Sequence, residues 1–279
     1  MRDGPVDLDA YFARIGHGGP SAPTLDVLRA LHGLHPRSIP FESLDPLLKR
    51  PVLIDGASLQ AKLVQNRRGG YCFENNGLFI RVLDALGFAV TPLAARVRWM
   101  LPQDAPATPL SHMLIRVDLA GETWICDVGF GGQSPTAPLR LSAGLEQATP
   151  HGTYRFLESE GRFDLQFSLP EGWQTMYRFT LEPQSLRDYE VFNWATSTHP
   201  GSRFANSLIA SRVDGDRRLN LFNTEFSVQR ADGVTERSVV ADAGALHALL
   251  DKAFAISVAL DDIERVFGRL PAPEARQPN

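Results

Sequence analysis

Three residues of this chain, Cys72, His112 and Asp127, have the types and the order that acyl transfer requires. Cys72 follows a double glycine, and the apolar residues beyond Asn76 recur at helical spacing and stop at Gly87. The cysteine is therefore predicted in the first turn of a helix. The unpaired amides and the positive dipole end at that position favour a thiolate, which is the form that attacks carbonyl carbon. A buried, inert cysteine is the alternative when Cys72 is considered alone.

A predicted β-hairpin brings the histidine and the aspartate together. Alternating apolar residues run on both sides of the turn Ala120-Gly121, which is typical of two antiparallel strands. If the loop has two residues, His112 and Asp127 become diagonal cross-strand neighbours, with Cβ atoms about 7 Å apart. A four-residue loop would also keep them on one face, whereas a three-residue loop without a bulge would separate them. The same alternation turns Cys126 to the opposite face, so Cys72 is the cysteine expected to join the site.

A cysteine, a histidine and an aspartate in this order can serve as nucleophile, base and orienting residue. His112 would deprotonate Cys72 or pair with its thiolate, and Asp127 would fix the tautomer of His112 and stabilise its imidazolium. An aspartate beside glycines can also be a simple turn former. Because thiol hydrolases and transglutaminase-like enzymes use the same triad, the triad predicts the reaction type and leaves the acceptor open. A binding module without turnover is the third interpretation.

The motifs around these residues resemble the arylamine N-acetyltransferase family. The resemblance covers about three quarters of the chain. The chain departs from the family at Ser43, where the family usually has Asn. The resemblance rests on Arg-Gly-Gly-Tyr-Cys-Phe-Glu-Asn-Asn at 68–76, His112, Asp-Val-Gly-Phe-Gly-Gly at 127–132, Ile-Pro-Phe-Glu at 39–42, Asn-Trp-Ala-Thr-Ser-Thr-His-Pro at 193–200 and Phe204.

The resemblance implies further site residues. One set matches the loop that contacts coenzyme A in the family, and its glycines would also let backbone amides approach an anion: Gly129, Phe130, Gly131, Gly132 and Ser134. A second set matches the aromatic acceptor pocket, although each member would also fit an ordinary core: Phe41, Tyr71, Val97, Phe130 and Phe204. Glu42 and Arg68 resemble a family pair that braces the site.

The element pattern predicts an α+β fold with an N-terminal helical bundle. Up to Gly87 the apolar spacing is helical, so residues 1–92 are expected to form a bundle that carries Cys72. His32 and His35, near a helix end, are predicted to be surface groups or to complement the dipole. The predicted helix caps and ends are Asp7, Gly16, Thr24, Pro36 and Ser58.

The apolar period then changes to two. Short strands broken by Pro, Gly and Asp predict an antiparallel barrel or sandwich over 93–198, ending in a helix stopped by Pro200. The resemblance implies the central antiparallel β-barrel of a cysteine-protease-like core. Residues 199–279, a meander followed by helices, resemble the family's α/β lid, which is expected to shield a thioester from water. The tail from Pro271 lacks core residues and is predicted to be mobile.

Composition restricts the function classes. A net charge of −4 with no long basic run argues against nucleic-acid binding, and Lys49-Arg50 and Arg217-Arg218 are predicted to be solvated. Two cysteines cannot form a disulfide framework. The chain has no apolar signal core at 1–5 and no run of eighteen apolar residues, so a cytoplasmic protein without membrane contact is expected. No histidine–cysteine cluster has metal-site spacing, so no metal is expected.

The resemblance implies two-step acetyl transfer, with acetyl-CoA as co-substrate. Cys72 would attack the thioester and release CoA. The nitrogen of an arylamine, arylhydrazine or hydrazide would then attack acetyl-Cys72 while His112 takes its proton. Two half-reactions through one site predict ping-pong kinetics.

Overall fold

The structure, a computed structural model, describes residues 6–102, 104–230 and 233–271. The predicted mobile tail beyond Pro271 lies outside the described residues. The helices are Leu8–Ile15 (α1), Leu25–Ser38 (α2), Leu44–Leu47 (α3), Gly56–Leu59 (α4), Cys72–Ala85 (α5), Leu186–Thr198 (α6), Arg203–Asn206 (α7), Ala243–Lys252 (α8) and Leu260–Phe267 (α9). The strands are Phe41–Glu42 (β1), Ala89–Val97 (β2), Leu110–Leu119 (β3), Glu122–Cys126 (β4), Leu139–Arg140 (β5), Gln147–Thr149 (β6), Gly152–Ser159 (β7), Arg162–Leu169 (β8), Gly172–Phe179 (β9), Ile209–Asp214 (β10), Arg217–Phe222 (β11), Glu225–Arg230 (β12) and Thr235–Val239 (β13).

The helix ends of the N-terminal bundle test the predicted caps. Asp7 and Thr24 are confirmed as N-caps, since their side chains accept hydrogen bonds from backbone amides three residues on, at 2.9 and 3.4 Å. The predicted end at Pro36 is wrong: α2 continues to Ser38, because a proline in the last turn removes a single backbone donor. The predicted cap Ser58 is also wrong. Asp55 caps α4, and its carboxylate accepts the Ser58 amide at 2.9 Å.

The prediction that His32 and His35 are surface groups is wrong, because both are fully buried. They lie three residues apart on the inward face of α2, and their rings meet the edge of Phe79 at 5.8 and 5.5 Å between centroids. Burial lowers the pKa of His32 to about 4 and that of His35 to about 3. Both rings are therefore neutral at pH 7 and belong to the core.

Five charged side chains are largely buried beside the nucleophile loop. Lys62 forms ion pairs with Asp45 at 2.6 Å and Glu74 at 2.5 Å. Arg68 forms ion pairs with Glu42 at 2.6 Å and Asp45 at 3.2 Å. Three carboxylates therefore share two cations. Lys62 belongs to a π-helical segment, Gln60–Gln65, a local irregularity that is frequent at functional sites.

An antiparallel eight-stranded sheet forms a nearly closed barrel. The strand pattern predicted a barrel or a sandwich, and the family resemblance implied the barrel. The strand order of this sheet is β5-β4-β3-β2-β9-β8-β7-β6. The predicted hairpin register is confirmed: Leu119 lies opposite Glu122 and Ile115 opposite Cys126. The turn residues Ala120 and Gly121 both have positive φ, 52° and 80°, as in the type I′ turn that suits a two-residue loop.

A second sheet forms the C-terminal region, with strand order β1-β10-β11-β12-β13. Helices α8 and α9 contribute Leu246, Leu250 and Ile263 to its apolar cluster. The predicted meander is therefore present. Strand β1, from the N-terminal part of the chain, was not predicted, because two residues are too short for a period-two pattern. Its pairing with β10 joins this sheet to the nucleophile region.

The prediction that Arg218 is solvated is also wrong. This residue of β11 is only 4% exposed, whereas its neighbour Arg217 pairs with Asp214 at the exposed end of the hairpin. Successive side chains of a strand point to opposite faces, so one arginine of the pair reaches water and the other enters the protein.

We predict that Lys62→Met lowers the free energy of unfolding by about 3 kcal/mol, because it leaves the carboxylates of Asp45 and Glu74 buried without their shared cation. Urea unfolding measures the change as a shift in midpoint at constant slope. Lys252→Met removes an exposed lysine and should change stability by less than about 0.5 kcal/mol. Equal effects from the two substitutions would contradict the role given to the buried charges.

Candidate active site

Cys72 is the first residue of α5, as predicted, and is 3% exposed. The glycines before it permit close packing. A Cβ on Gly70 would lie 2.6 Å from the Cβ of Glu74, and one on Gly69 would lie 2.9 Å from the Cγ of Glu42. A side chain at either position would come too close to these atoms, so both positions require glycine. The sulfur lies 3.6 Å from the carbonyl oxygen of Ser111, on the strand that carries the histidine.

The structure brings the three predicted catalytic side chains together. His112 lies on β3 and Asp127 directly follows β4, and the His112 Nε2 to Asp127 Oδ2 distance is 2.7 Å. Cys72 lies close enough to the same imidazole to raise its pKa, and both residues line one cavity. Because Nε2 contacts the carboxylate, Nδ1 is the ring nitrogen left for the sulfur. The arrangement matches the order nucleophile, base and orienting residue.

The charges at this site support one another. Burial alone would lower the pKa of His112, but the Asp127 carboxylate and the Cys72 side chain outweigh it and raise that pKa to about 10. Burial would likewise raise the pKa of Asp127, yet His112 and hydrogen bonds from Asn76 and Gly129 hold that pKa below its usual range. The imidazolium–carboxylate pair is therefore the form expected at pH 7.

Asn76 connects the nucleophile helix to Asp127 and to the strand that carries His112, and sequence reasoning missed it. Its Nδ2 donates to Asp127 Oδ1 at 2.9 Å and to the carbonyl of Met113 at 2.7 Å. Its Oδ1 accepts the amide of Val128 at 2.9 Å. Asn76 lies four residues after Cys72, on the same face of the helix. That spacing was the signal that could have identified it.

His32 is a second residue that the sequence did not point to. The backbone amide of Asp127 donates to its Nε2 at 3.2 Å. The ring must be unprotonated at Nε2 to accept this bond, which agrees with the low pKa caused by its burial. His32 therefore supports the backbone of Asp127 from the helical bundle.

Aromatic rings enclose the imidazole. Tyr177, a fully buried residue of β9, lies 4.9 Å from the ring of His112, and Phe130 meets it edge-on at 5.3 Å. These rings exclude water from the flanks of the imidazole. The predicted site included Phe130 but not Tyr177, because the contact of β9 with β3 is long-range.

A cavity of about 1300 Å³ opens beside Cys72 and His112. Sites for one drug-sized ligand usually measure about 300–1,000 Å³, so this cavity has room for a larger co-substrate. Of the residues predicted to bind substrate or cofactor, several line it: Phe41, Val97, Gly129, Phe130, Gly131, Gly132 and Phe204. Tyr71 and Ser134 lie behind this lining. Tyr71 is fully buried, 5.4 Å from the ring of Phe204, and Ser134 is 3% exposed.

The glycine-rich loop after Asp127 forms one wall of the cavity. A Cβ on Gly129 would lie 2.9 Å from the Cα of Cys72, so only glycine permits this approach. Gly131 has φ +97°, a backbone conformation that favours glycine. Its amide donates to the hydroxyl of Ser134 at 2.9 Å, which explains the buried position of that serine.

Glu42 and Arg68, the predicted bracing pair, are in contact. Arg68 Nε donates to Glu42 Oε1 at 2.8 Å, and Glu42 Oε2 accepts the amide of Leu44 at 2.6 Å. The pair therefore ties β1 to the loop before Cys72. Within the described residues, no group of three His, Cys, Asp or Glu side chains is arranged to hold a metal ion. No described helix is both long and apolar enough to cross a membrane.

Known proteins are similar to this chain in sequence and fold. A family model described as N-acetyltransferase matches residues 24–263. The arylamine N-acetyltransferase of Mycobacterium tuberculosis strain H37Rv is 48% identical over 259 residues, 91% of this chain and 90% of that protein. The Escherichia coli K12 arylamine N-acetyltransferase is 44% identical over 262 residues, 93% of this chain and 92% of that protein. The solved structure of the Mycobacterium marinum arylamine N-acetyltransferase in complex with CoA has a TM-score of 0.91 at 39% identity, covering 95% of this chain and all of that one.

With its helices and barrel-like sheet, the chain is an acetyltransferase enzyme of mixed α+β fold. It belongs to the arylamine N-acetyltransferase family.

We predict that Cys72 is the reactive thiol, because it borders the cavity, whereas burial raises the pKa of the Cys126 thiol. Iodoacetamide should label Cys72, as located by peptide mass spectrometry, and acetyl-CoA should protect it. Cys126→Ala should retain at least about half of the activity. Inactivity of a folded Cys126→Ala protein would refute this assignment.

Proposed function

We propose that this enzyme transfers an acetyl group from acetyl-CoA, through a thioester on Cys72, to the nitrogen of arylamines, arylhydrazines or hydrazides. The observation that carries the proposal is the position of Cys72 and His112 at the wall of one large cavity, with the His112 imidazole bonded to Asp127. The names of the relatives support the amine acceptor, and the CoA complex of the Mycobacterium marinum protein supports the donor.

In the first half-reaction the Cys72 thiolate attacks the carbonyl carbon of acetyl-CoA. A bond forms between Sγ and that carbon, and the bond from the carbon to the CoA sulfur breaks. The protonated His112 gives its proton to the departing sulfur, so that CoA leaves as a thiol. One thioester replaces another, and the acetyl group stays on the enzyme.

In the second half-reaction the neutral nitrogen of the acceptor attacks acetyl-Cys72. His112, now neutral, takes the proton that the nitrogen loses, and the Cys72 thiolate departs. The imidazolium–thiolate pair is thereby restored. Because CoA leaves before the amine reacts, the proposed kinetics are ping-pong. Asp127 stabilises the imidazolium at the start and at the end of the cycle.

The acceptor side of the cavity suits an aromatic molecule. Phe41 and Phe204 have ring centroids 6.0 Å apart, and both rings line the cavity together with Phe130 and Val97. Flat apolar walls favour aromatic ligands through area burial and edge-to-face contacts. We place the acceptor between these side chains and the glycine-rich loop at Gly129–Ser134. We also place the enzyme in the cytoplasm, because both cysteines are free thiols and reducing compartments maintain that state.

Release of CoA without any amine tests the proposed function. Acetyl-CoA mixed with the enzyme should give a burst of free CoA of about one equivalent per active site, because the acetyl group stays on Cys72. Thiol-reactive dye and intact-protein mass spectrometry measure the two products, and Cys72→Ala should give neither. Steady CoA release at the same rate with or without an arylamine would indicate a thiol hydrolase instead.

We predict that Asp127→Asn moves the alkaline limit of Cys72 acetylation to lower pH. The carboxylate is the main group that raises the pKa of His112 to about 10. Without the carboxylate, burial dominates and lowers that pKa, so the imidazolium loses its proton at lower pH. The burst rate constant measured against pH should then fall near or below about pH 7 in the variant, and its maximum should decrease by roughly 10²–10⁴. Asp118→Asn, which changes a half-buried carboxylate on β3, is the control, and an unshifted Asp127→Asn profile would contradict the prediction.

A further inference from the structure

Arg218 contacts the glycine-rich loop and is not among the residues that line the large cavity. Its Nη1 donates to the carbonyl of Gly132 at 3.0 Å, and its Nη2 donates to the carbonyl of Ser134 at 3.0 Å. Nε and Nη2 donate to the carbonyl of His151 at 3.2 and 3.0 Å, and Nη2 reaches the Tyr154 hydroxyl at 2.9 Å. A side chain from the C-terminal sheet therefore holds the loop, a barrel turn and a barrel strand together.

The charge of Arg218 has no carboxylate partner among the ion pairs of residues 6–102, 104–230 and 233–271. Its bonds go to neutral carbonyl and hydroxyl oxygens, and the residue is 4% exposed. A buried cation without a counter-ion creates a positive potential that water screens poorly. The bonds to the Gly132 and Ser134 carbonyls place this charge next to the loop, of which Gly132 and Gln133 line the cavity.

The same strand holds the loop at a second point. Asn220 follows Arg218 by two residues and therefore points to the same face of β11. A Cβ on Gly132 would meet the end of the Asn220 side chain, so the loop packs directly against β11 at this point. The His151 ring adds a bridge from Thr136 Oγ1 to the carbonyl of Gly215, with both distances 3.0 Å.

These contacts orient the loop. Since the Gly132 carbonyl points to Arg218, the amide of Gln133, which is trans to that carbonyl in the planar peptide, points the opposite way. Gly132 and Gln133 both line the cavity. Backbone amides that face a cavity with a cation behind them form an anion-binding wall. Acetyl-CoA carries its negative charge on phosphates, and none of that charge is on the acetyl group.

We propose that Arg218 is a positioning residue for the acyl donor: it sets the glycine-rich loop and its electric field so that the phosphate end of acetyl-CoA binds there. This inference rests on the proposed function. Arg218 acts through the loop and touches neither the acetyl group nor Cys72. Donor recognition then depends on the C-terminal sheet, whereas the reaction at the acetyl carbon depends on the bundle and the barrel.

The test compares two donors that share one thioester. S-acetylpantetheine has the acetyl group and the pantetheine arm of acetyl-CoA but lacks the diphosphate and the phosphorylated adenosine. In Arg218→Met, KM for acetyl-CoA should rise about tenfold with kcat within about twofold, whereas kcat/KM for S-acetylpantetheine should stay within about twofold. Arg217→Met removes the same charge from the exposed face of the same strand and should leave the kinetic constants for both donors unchanged.

Arg218→Lys is the second variant, used if a thermal unfolding assay shows that Arg218→Met does not fold. Lysine keeps the charge but cannot bond to all four acceptors at once. The KM of Arg218→Lys for acetyl-CoA should rise about threefold, and its kcat/KM for S-acetylpantetheine should again be unchanged. An equal decrease in kcat/KM for both donors, or an unchanged KM for acetyl-CoA, would overturn the inference. The wild-type enzyme is assayed first. If it releases no CoA and Cys72 is not acetylated, the proposed function fails, whatever the variants show.

Discussion

The hydrogen bonds of the Asp127 carboxylate are the interaction on which the rest of the site depends. One oxygen bonds to His112, and the other accepts hydrogen bonds from the side chain of Asn76 and the amide of Gly129. These partners come from a barrel strand, the nucleophile helix and the glycine-rich loop. A buried carboxylate must be compensated by such bonds or it takes up a proton. The geometry that keeps Asp127 charged is therefore also the geometry that aligns helix α5 with the barrel.

A second buried layer supports the first from the helical side. Glu42, Asp45 and Glu74 share the cations Lys62 and Arg68 around the loop that precedes Cys72. Such a network is expensive to desolvate and costs still more when one member is lost. It connects β1, the π-helical segment and the first turn of α5. The start of the nucleophile helix is thereby held by charges that lie outside the cavity.

The C-terminal sheet does more than cover the site. Through β1 it is continuous with the nucleophile region, and through Arg218 and Asn220 it supports the loop that borders Asp127. The fold thus surrounds one cavity with a bundle, a barrel and a sheet. In the proposed reaction each contributes a different function: the thiolate, the base with its orienting carboxylate, and the loop support for the donor.

The sequence alone determined the features that depend on local spacing. The helix that starts at Cys72 and the hairpin follow from periods of 3.6 and 2, and the motif order identified the family. The sequence left the loop length open, and the structure showed the two-residue turn that puts His112 and Asp127 on one face. Only the tertiary structure decided the burial of His32 and Arg218 and the contact of Tyr177 with His112. An arginine beside a hairpin turn has the same local pattern whether it meets water or carbonyl oxygens. Its environment is set by strands that are distant in sequence, and local periodicity carries no information about them.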